Sequence, residues 1–265
     1  MRLYERDYSI LTDEEHKLVK EVTEKHTTHL GTLKILNTRM YREVPKAYNH
    51  YSSLFPNNYL DIRDLDDIDT LKSKNELFEK IVSNHKSKEL DVKRNIMENR
   101  SYHIVGSLLK EYHFGHHAAY LFPEFQLGNT YKADYLVVGN ASGGHQFLFV
   151  EFENIYGNIT IQGGDFGETI RKGINQISDW KMWIEANFCS FIETFQKDTD
   201  KQLPKEFFRY DASRIHFTVI AGRRFDFTEK TYVLKRRLFD EQKINLIHYD
   251  NLMESSYEII GKVTY

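Results

Sequence analysis

Three acids set the chemistry this chain can attempt. Asp134 stands in the segment YKADYLVV, and Glu151 and Glu153 follow on the apolar run FLFVEFE, separated by one residue. A strand sends successive side chains to opposite faces, so Glu151 and Glu153 share one face while Val150 and Phe152 fill the other. The intervening GNASGG (139–144) supplies residues that tolerate positive φ, which predicts a hairpin that sets Asp134 and Glu151 on neighbouring strands. Carboxylates crowded on an apolar sheet repel each other and lose hydration, and a hard divalent cation among them relieves both costs. The pattern therefore predicts three acids converging on a metal site. Glu124, following a proline just upstream, is expected close by as a supporting acid.

The elements that must position these residues are legible from period and punctuation. PEFQLGN (123–129) reads as a short strand ending in a Gly-Asn turn, which makes a three-stranded meander with the hairpin. Over 168–187, apolar residues at Ile170, Ile174, Ile177, Trp180, Trp183 and Ile184 recur every three or four positions and predict an amphipathic helix, with both tryptophans in its packed stripe. A strand at IHFTVIAG, a basic helix, a strand at INLIHYD and a short terminal helix follow. This alternation predicts an α/β fold with a mixed central sheet flanked by helices. Upstream, residues 13–26 read as a helix with acids in its first turn and 32–41 as a strand or second helix. DIRDLDDID (61–69), with five aspartates, reads as an exposed connector that faces solvent or a basic partner. Helices are expected over 75–85 and about 92–112. A boundary near residue 75 would separate a mostly helical N-terminal region, a sensor or assembly element, from a catalytic domain over 76–265.

At 265 residues and 40% hydrophobic content, the chain can bury one substantial core with an extra subdomain. No apolar stretch approaches membrane-spanning length, and MRLYERDYSI lacks the apolar centre of a signal peptide, so the expected location is cytoplasmic, with no membrane partner. The lone Cys189 excludes an intrachain disulfide and a cysteine zinc cage, and its place predicts burial in the core. Net charge is −3, yet 209–237 holds eight basic residues against three acids. Arg223 and Arg224, at the end of the IHFTVIAG strand, are the best placed of these to reach a phosphate backbone. Adjacent His116 and His117 point in different directions and do not form a ligand pair. GNITIQGGDFG (157–167) lacks the Lys-Ser/Thr ending of a phosphate loop and reads as a mobile loop over the site.

PEFQLGN, KADYLVV, FLFVEFE and the helix carrying NQISDW together resemble the nuclease domain of Shedu-type antiphage defence proteins, a branch of the PD-(D/E)XK restriction-endonuclease-like superfamily. The resemblance is clearest over 120–187, continues weakly to Met253 and does not reach the first 70 or so residues. It implies a restriction-endonuclease-like core, with Asp134 as the superfamily's aspartate and Glu151 as the first acid of its ExK motif, both binding Mg²⁺, for which Mn²⁺ substitutes. It implies that Gln176 steers the attacking water or a phosphate oxygen, and that Glu111 is the acid some members carry on their first helix. DNA is the implied partner, and a dimer or tetramer the implied assembly. Glu153 departs from the pattern, because the superfamily usually has lysine there. A glutamate can hold a second metal or accept the water's proton, and Lys172, Arg171 or Lys132 can restore the missing positive charge.

The expected function is metal-dependent DNA cleavage in phage defence. The alternative is a catalytically degenerate nuclease fold serving as a DNA-binding or assembly module. Glycoside hydrolysis fits poorly, since acids two positions apart on one strand cannot flank a sugar from opposite sides.

Overall fold

The computed structural model of the chain describes residues 2–30, 33–37 and 40–265. Its N-terminal region runs through α1 (Asp13–Lys25), a hairpin of β1 (Thr27–Leu30) and β2 (Leu33–Leu36), and the short helices α2 (Met40–Glu43) and α3 (Lys46–Ser52). α1 starts at Thr12 because its hydroxyl accepts from the Glu15 amide while the Glu15 carboxylate accepts from the Thr12 amide, a capping box. Of the segment 32–41, residues 33–36 form β2 and 40–41 begin α2; residues 32, 38 and 39 lie outside the described ones.

Three helices then lead into the sheet: α4 (Ile68–Ser83), α5 (Glu89–Glu98) and α6 (Tyr102–Gly106). The meander follows as β3 (Ala118–Leu127), β4 (Tyr131–Ala141) and β5 (Gly144–Phe152), and then come α7 (Glu168–Asn187) and α8 (Phe191–Gln196). The chain ends with β6 (Ile215–Ile220), α9 (Glu229–Gln242), β7 (Ile244–Ile247) and α10 (Tyr249–Glu258). The five strands from β3 to β7 pair in chain order, antiparallel through β5 and parallel from β5 to β7. Parallel neighbours need a crossover, which α7 and α8 provide for the first pair and α9 for the second. The fold is thus α/β, with a mixed sheet between helices and a helical N-terminal region.

Each face of the sheet buries its own apolar layer. Tyr135, Val137, Leu148, Val150 and Phe152 pack with Phe78, Val92, Ile96 and Leu252 from α4, α5 and α10. Leu136, Val138, Phe147 and Phe149 pack on the other side with Ile170, Ile177 and Trp180 of α7. Glu151 and Glu153 share the parity of Phe147 and Phe149, so they face α7.

The expected boundary near 75 falls inside α4, where buried Asn75 accepts from the His103 ring at 2.8 Å. Leu3, Leu60 and Leu65 join the first layer and Phe55 the second, so the N-terminal residues complete both. The acidic connector is not simply solvated. Asp61 is fully buried against Arg63 at 3.0 Å, and Asp67 caps α4. Cys189 is exposed rather than core filler, because α7 gives way to a 3₁₀ turn at Phe188–Ser190 that breaks the helical register.

Candidate metal and phosphate site

The hairpin opens where the acids lie. Pairing between β4 and β5 ends at Tyr135–Val150, one step before Asp134 and Glu151 would face each other. On its other side β5 stays tied to β6 as far as Phe152–Ile220, and the Glu153 amide continues to the Ile220 carbonyl at 2.8 Å. The splayed strand leaves the Phe152 amide without a ladder acceptor, and Asp134 Oδ2 accepts from it at 2.9 Å. The hydroxyl of buried Tyr249 donates to the Glu153 carbonyl at 2.6 Å, which fixes the far end. A fork between two strands is thereby held open with acids on its inner edges.

Two lysines and a fourth acid complete the cluster. Lys93, one turn into α5, donates to Asp134 Oδ1 at 2.7 Å and to Glu89 at 2.6 Å. Lys172, in the first turns of α7, donates to both oxygens of Glu153 at 2.9 and 3.0 Å. Gly173 lets α7 come this close, since a Cβ there would stand 2.8 Å from Val219 and 3.1 Å from the Glu153 side chain. Gln176 lies one turn beyond Lys172, half-buried on the same side of the helix. Arg171 is exposed.

Neither lysine donates a hydrogen bond to Glu151, and Lys93 only weakly offsets its surroundings through space. The Glu151 side chain is buried and, among the described residues, Oε2 has no hydrogen-bond partner. Burial, followed by repulsion from Asp134, Glu153 and Glu89, pushes its carboxyl up to about 10. Burial also raises Asp134, opposed by Lys93 and the Phe152 amide, and raises Glu153, opposed by Lys172. Among the described residues no three acids or histidines already stand as a metal cage. The two ammonium groups hold the compensating charge instead. The donors are nevertheless all carboxylate oxygens, one of them orphaned in a dry position, which is the set a hard divalent cation takes.

The other predicted residues lie as follows. Glu124 takes a left-handed φ of 53° between the pairs Pro123–Tyr135 and Phe125–Ala133, which sets its backbone opposite Asp134, but its carboxylate pairs outward with Lys132. Lys132 is thereby engaged away from the acids. Glu111 lines a groove with Lys235, Arg236 and Asn245 that includes none of the acids, so the helix-borne acid beside the site is Glu89. Sequence reading missed Glu89 and Lys93, whose four-residue spacing is indistinguishable from an ordinary surface ion pair until Asp134 joins them. Arg223 is committed internally. Its fork grips Asp250 at 2.8 to 3.2 Å and also donates to the Val82 carbonyl and the Tyr156 hydroxyl. Arg224 pairs with Glu254 at 2.5 Å and remains half-exposed. The glycine-rich loop is tied to α9 rather than loose, through Thr231 to the Gly164 carbonyl at 2.9 Å and Lys230 to Asp165 at 2.6 Å. His117 meets His116 edge-on at 4.5 Å.

Among the described residues, no helix is long and apolar enough to cross a membrane. A family model described as Shedu protein SduA, C-terminal, matches residues 66–253, and no curated protein matches the chain.

Proposed function

The chain belongs to the Shedu SduA C-terminal family, and from that membership together with the acid cluster we propose that it is a metal-dependent DNA endonuclease acting in antiphage defence. The observation that carries the proposal is Glu151, a buried acid with an unpartnered oxygen beside three other acids at a splayed strand end. Such a group weakens the fold on its own and is kept where function needs it.

Phosphodiester hydrolysis asks for an acidified water and for positive charge near the phosphoryl oxygens. Mg²⁺, or Mn²⁺ in its place, supplies both when bound, and it offsets the repulsion between the acids and DNA. Asp134 and Glu151 are the oxygens that hold it, and Glu89 stands behind them. Glu153 is poised to take the proton of the attacking water. Lys172, held against Glu153 from α7, provides the ammonium that the superfamily places on the strand, so the charge has moved to the neighbouring helix. Gln176, one turn on, orients the water or a phosphate oxygen through its amide. Arg171 and Arg224 are the exposed cations that meet the DNA backbone, whereas Arg223 acts by holding the α10 end of the fold. Cleavage of both strands by single sites calls for a dimer or tetramer, and the proposed setting is the cytoplasm.

Incubation of purified protein with supercoiled plasmid tests the reading. Wild type is expected to nick or linearise the plasmid with Mg²⁺ or Mn²⁺ and not with EDTA, and Asp134→Ala is expected to be inactive. The ammonium groups that already neutralise Asp134 and Glu153 favour a second reading, a silent DNA-binding module. Plasmid retardation without cutting under either ion would establish that reading instead.

A further inference from the structure

We infer that Lys93 is a displaceable counter-ion: its ammonium occupies the cation position at Asp134 and must withdraw before a divalent ion binds there. The inference rests on the nuclease reading, because it concerns the same site. Asp134 has two oxygens, and both are engaged. Oδ2 accepts from the Phe152 amide at 2.9 Å, a bond built into the strand fork, while Oδ1 accepts from Lys93 at 2.7 Å. Only the second contact can be given up without moving the sheet.

Lys93 is not placed as a phosphate-binding lysine would be. Its side chain is 19% exposed, and its ammonium bridges Glu89 and Asp134 instead of pointing into open space. Lys172 contrasts with it, being 59% exposed and placed on the helix that carries Gln176. The two lysines therefore divide the work. Lys172 stays beside Glu153, and Lys93 answers the charge of Asp134 and Glu89 while no metal is present. A divalent ion within bonding distance of Oδ1 would face the ammonium across a few ångströms of poorly screened space, so the two compete. The four-carbon stem gives Lys93 the freedom to swing outward, where its charge can pair with a DNA phosphate.

This arrangement makes metal affinity depend on the lysine in an unusual direction, because deleting a basic residue tightens binding of a cation. Isothermal titration of the full-length protein with Mn²⁺, without DNA, reads this directly. Lys93→Met is expected to bind Mn²⁺ at least about tenfold more tightly than wild type, since Asp134 and Glu89 are then left without a counter-ion. Its metal-free melting temperature should fall, and Mn²⁺ should raise that temperature by more than in wild type. Lys93→Arg, which keeps the charge, should bind within about twofold of wild type. Should the methionine variant not fold, Lys93→Gln carries the same expectation. Equal or weaker Mn²⁺ binding by the neutral variants would overturn the role of Lys93 and leave the nuclease reading intact. An absence of Mn²⁺ binding in wild type and all variants would overturn both.

Discussion

Glu151→Gln is expected to abolish DNA cleavage and, at the same time, to raise the melting temperature of the metal-free protein. The side chain is 4% exposed, Oε2 has no hydrogen-bond partner among the described residues, and three further acids act on it. Glutamine has the same shape without a proton to lose, and its amide can donate to a neighbouring carboxylate. The stability gain near neutral pH should be about 1–3 kcal/mol, or several degrees in melting temperature. Loss of the proposed metal-binding oxygen should lower the cleavage rate by about a thousandfold or more.

The same carboxyl sets a pH dependence. Its folded value, about 10, lies above its ordinary value of 4.5. Its contribution to wild-type stability is therefore fully retained below about pH 4.5 and lost progressively as pH rises toward 10. Glu151→Gln lacks this slope, so the stability gap between the two proteins should widen with pH. Metal must displace the proton, so Mn²⁺ should bind wild type more tightly as pH increases. Chemical denaturation across this range, alongside plasmid cleavage, checks both halves. A variant that is less stable than wild type, or that still cuts, would rule out this role for Glu151.

Lys172→Met is expected to reduce cleavage by about a hundredfold or more while lowering stability by only about 1–2 kcal/mol. The lysine is 59% exposed, so solvent screens its side of the pair, but Glu153 is buried and must take up a proton once the ammonium is gone. The chemical role of Lys172 is larger, because it lowers the Glu153 carboxyl that burial raises. Without it Glu153 ionises only at higher pH, and the acidic limb of the pH–rate profile should move upward. Lys172→Arg should restore part of the activity and most of that limb. A uniform loss of rate with no movement of the limb would mean that Lys172 only supports α7.

Much of this site could be read from the sequence because its strongest signals are local. The GNASGG turn and the one-residue spacing of Glu151 and Glu153 fixed the hairpin and the shared face. The three-and-four spacing from Ile170 to Ile184 gave α7 its span, and with it Lys172 and Gln176. The fork itself was not legible. It depends on the ladder stopping at Tyr135–Val150, which no residue type announces. Glu89 and Lys93 were hidden for a related reason, since Lys93 meets Asp134 across 41 positions of sequence. Arg223 misled because a basic residue at a strand end suits a phosphate, whereas Asp250, 27 residues later, had already claimed it. Local patterns specify elements and faces, and long-range pairing decides which charges remain free.

We propose that Asp134 and Glu151 hold a divalent cation at the opened end of the hairpin. Anomalous diffraction from crystals soaked in Mn²⁺ would locate that ion. A peak is expected between these two carboxylates, with Lys93 moved off Asp134 Oδ1. A peak elsewhere, or none with Lys93 still bridging Asp134 and Glu89, would contradict that assignment.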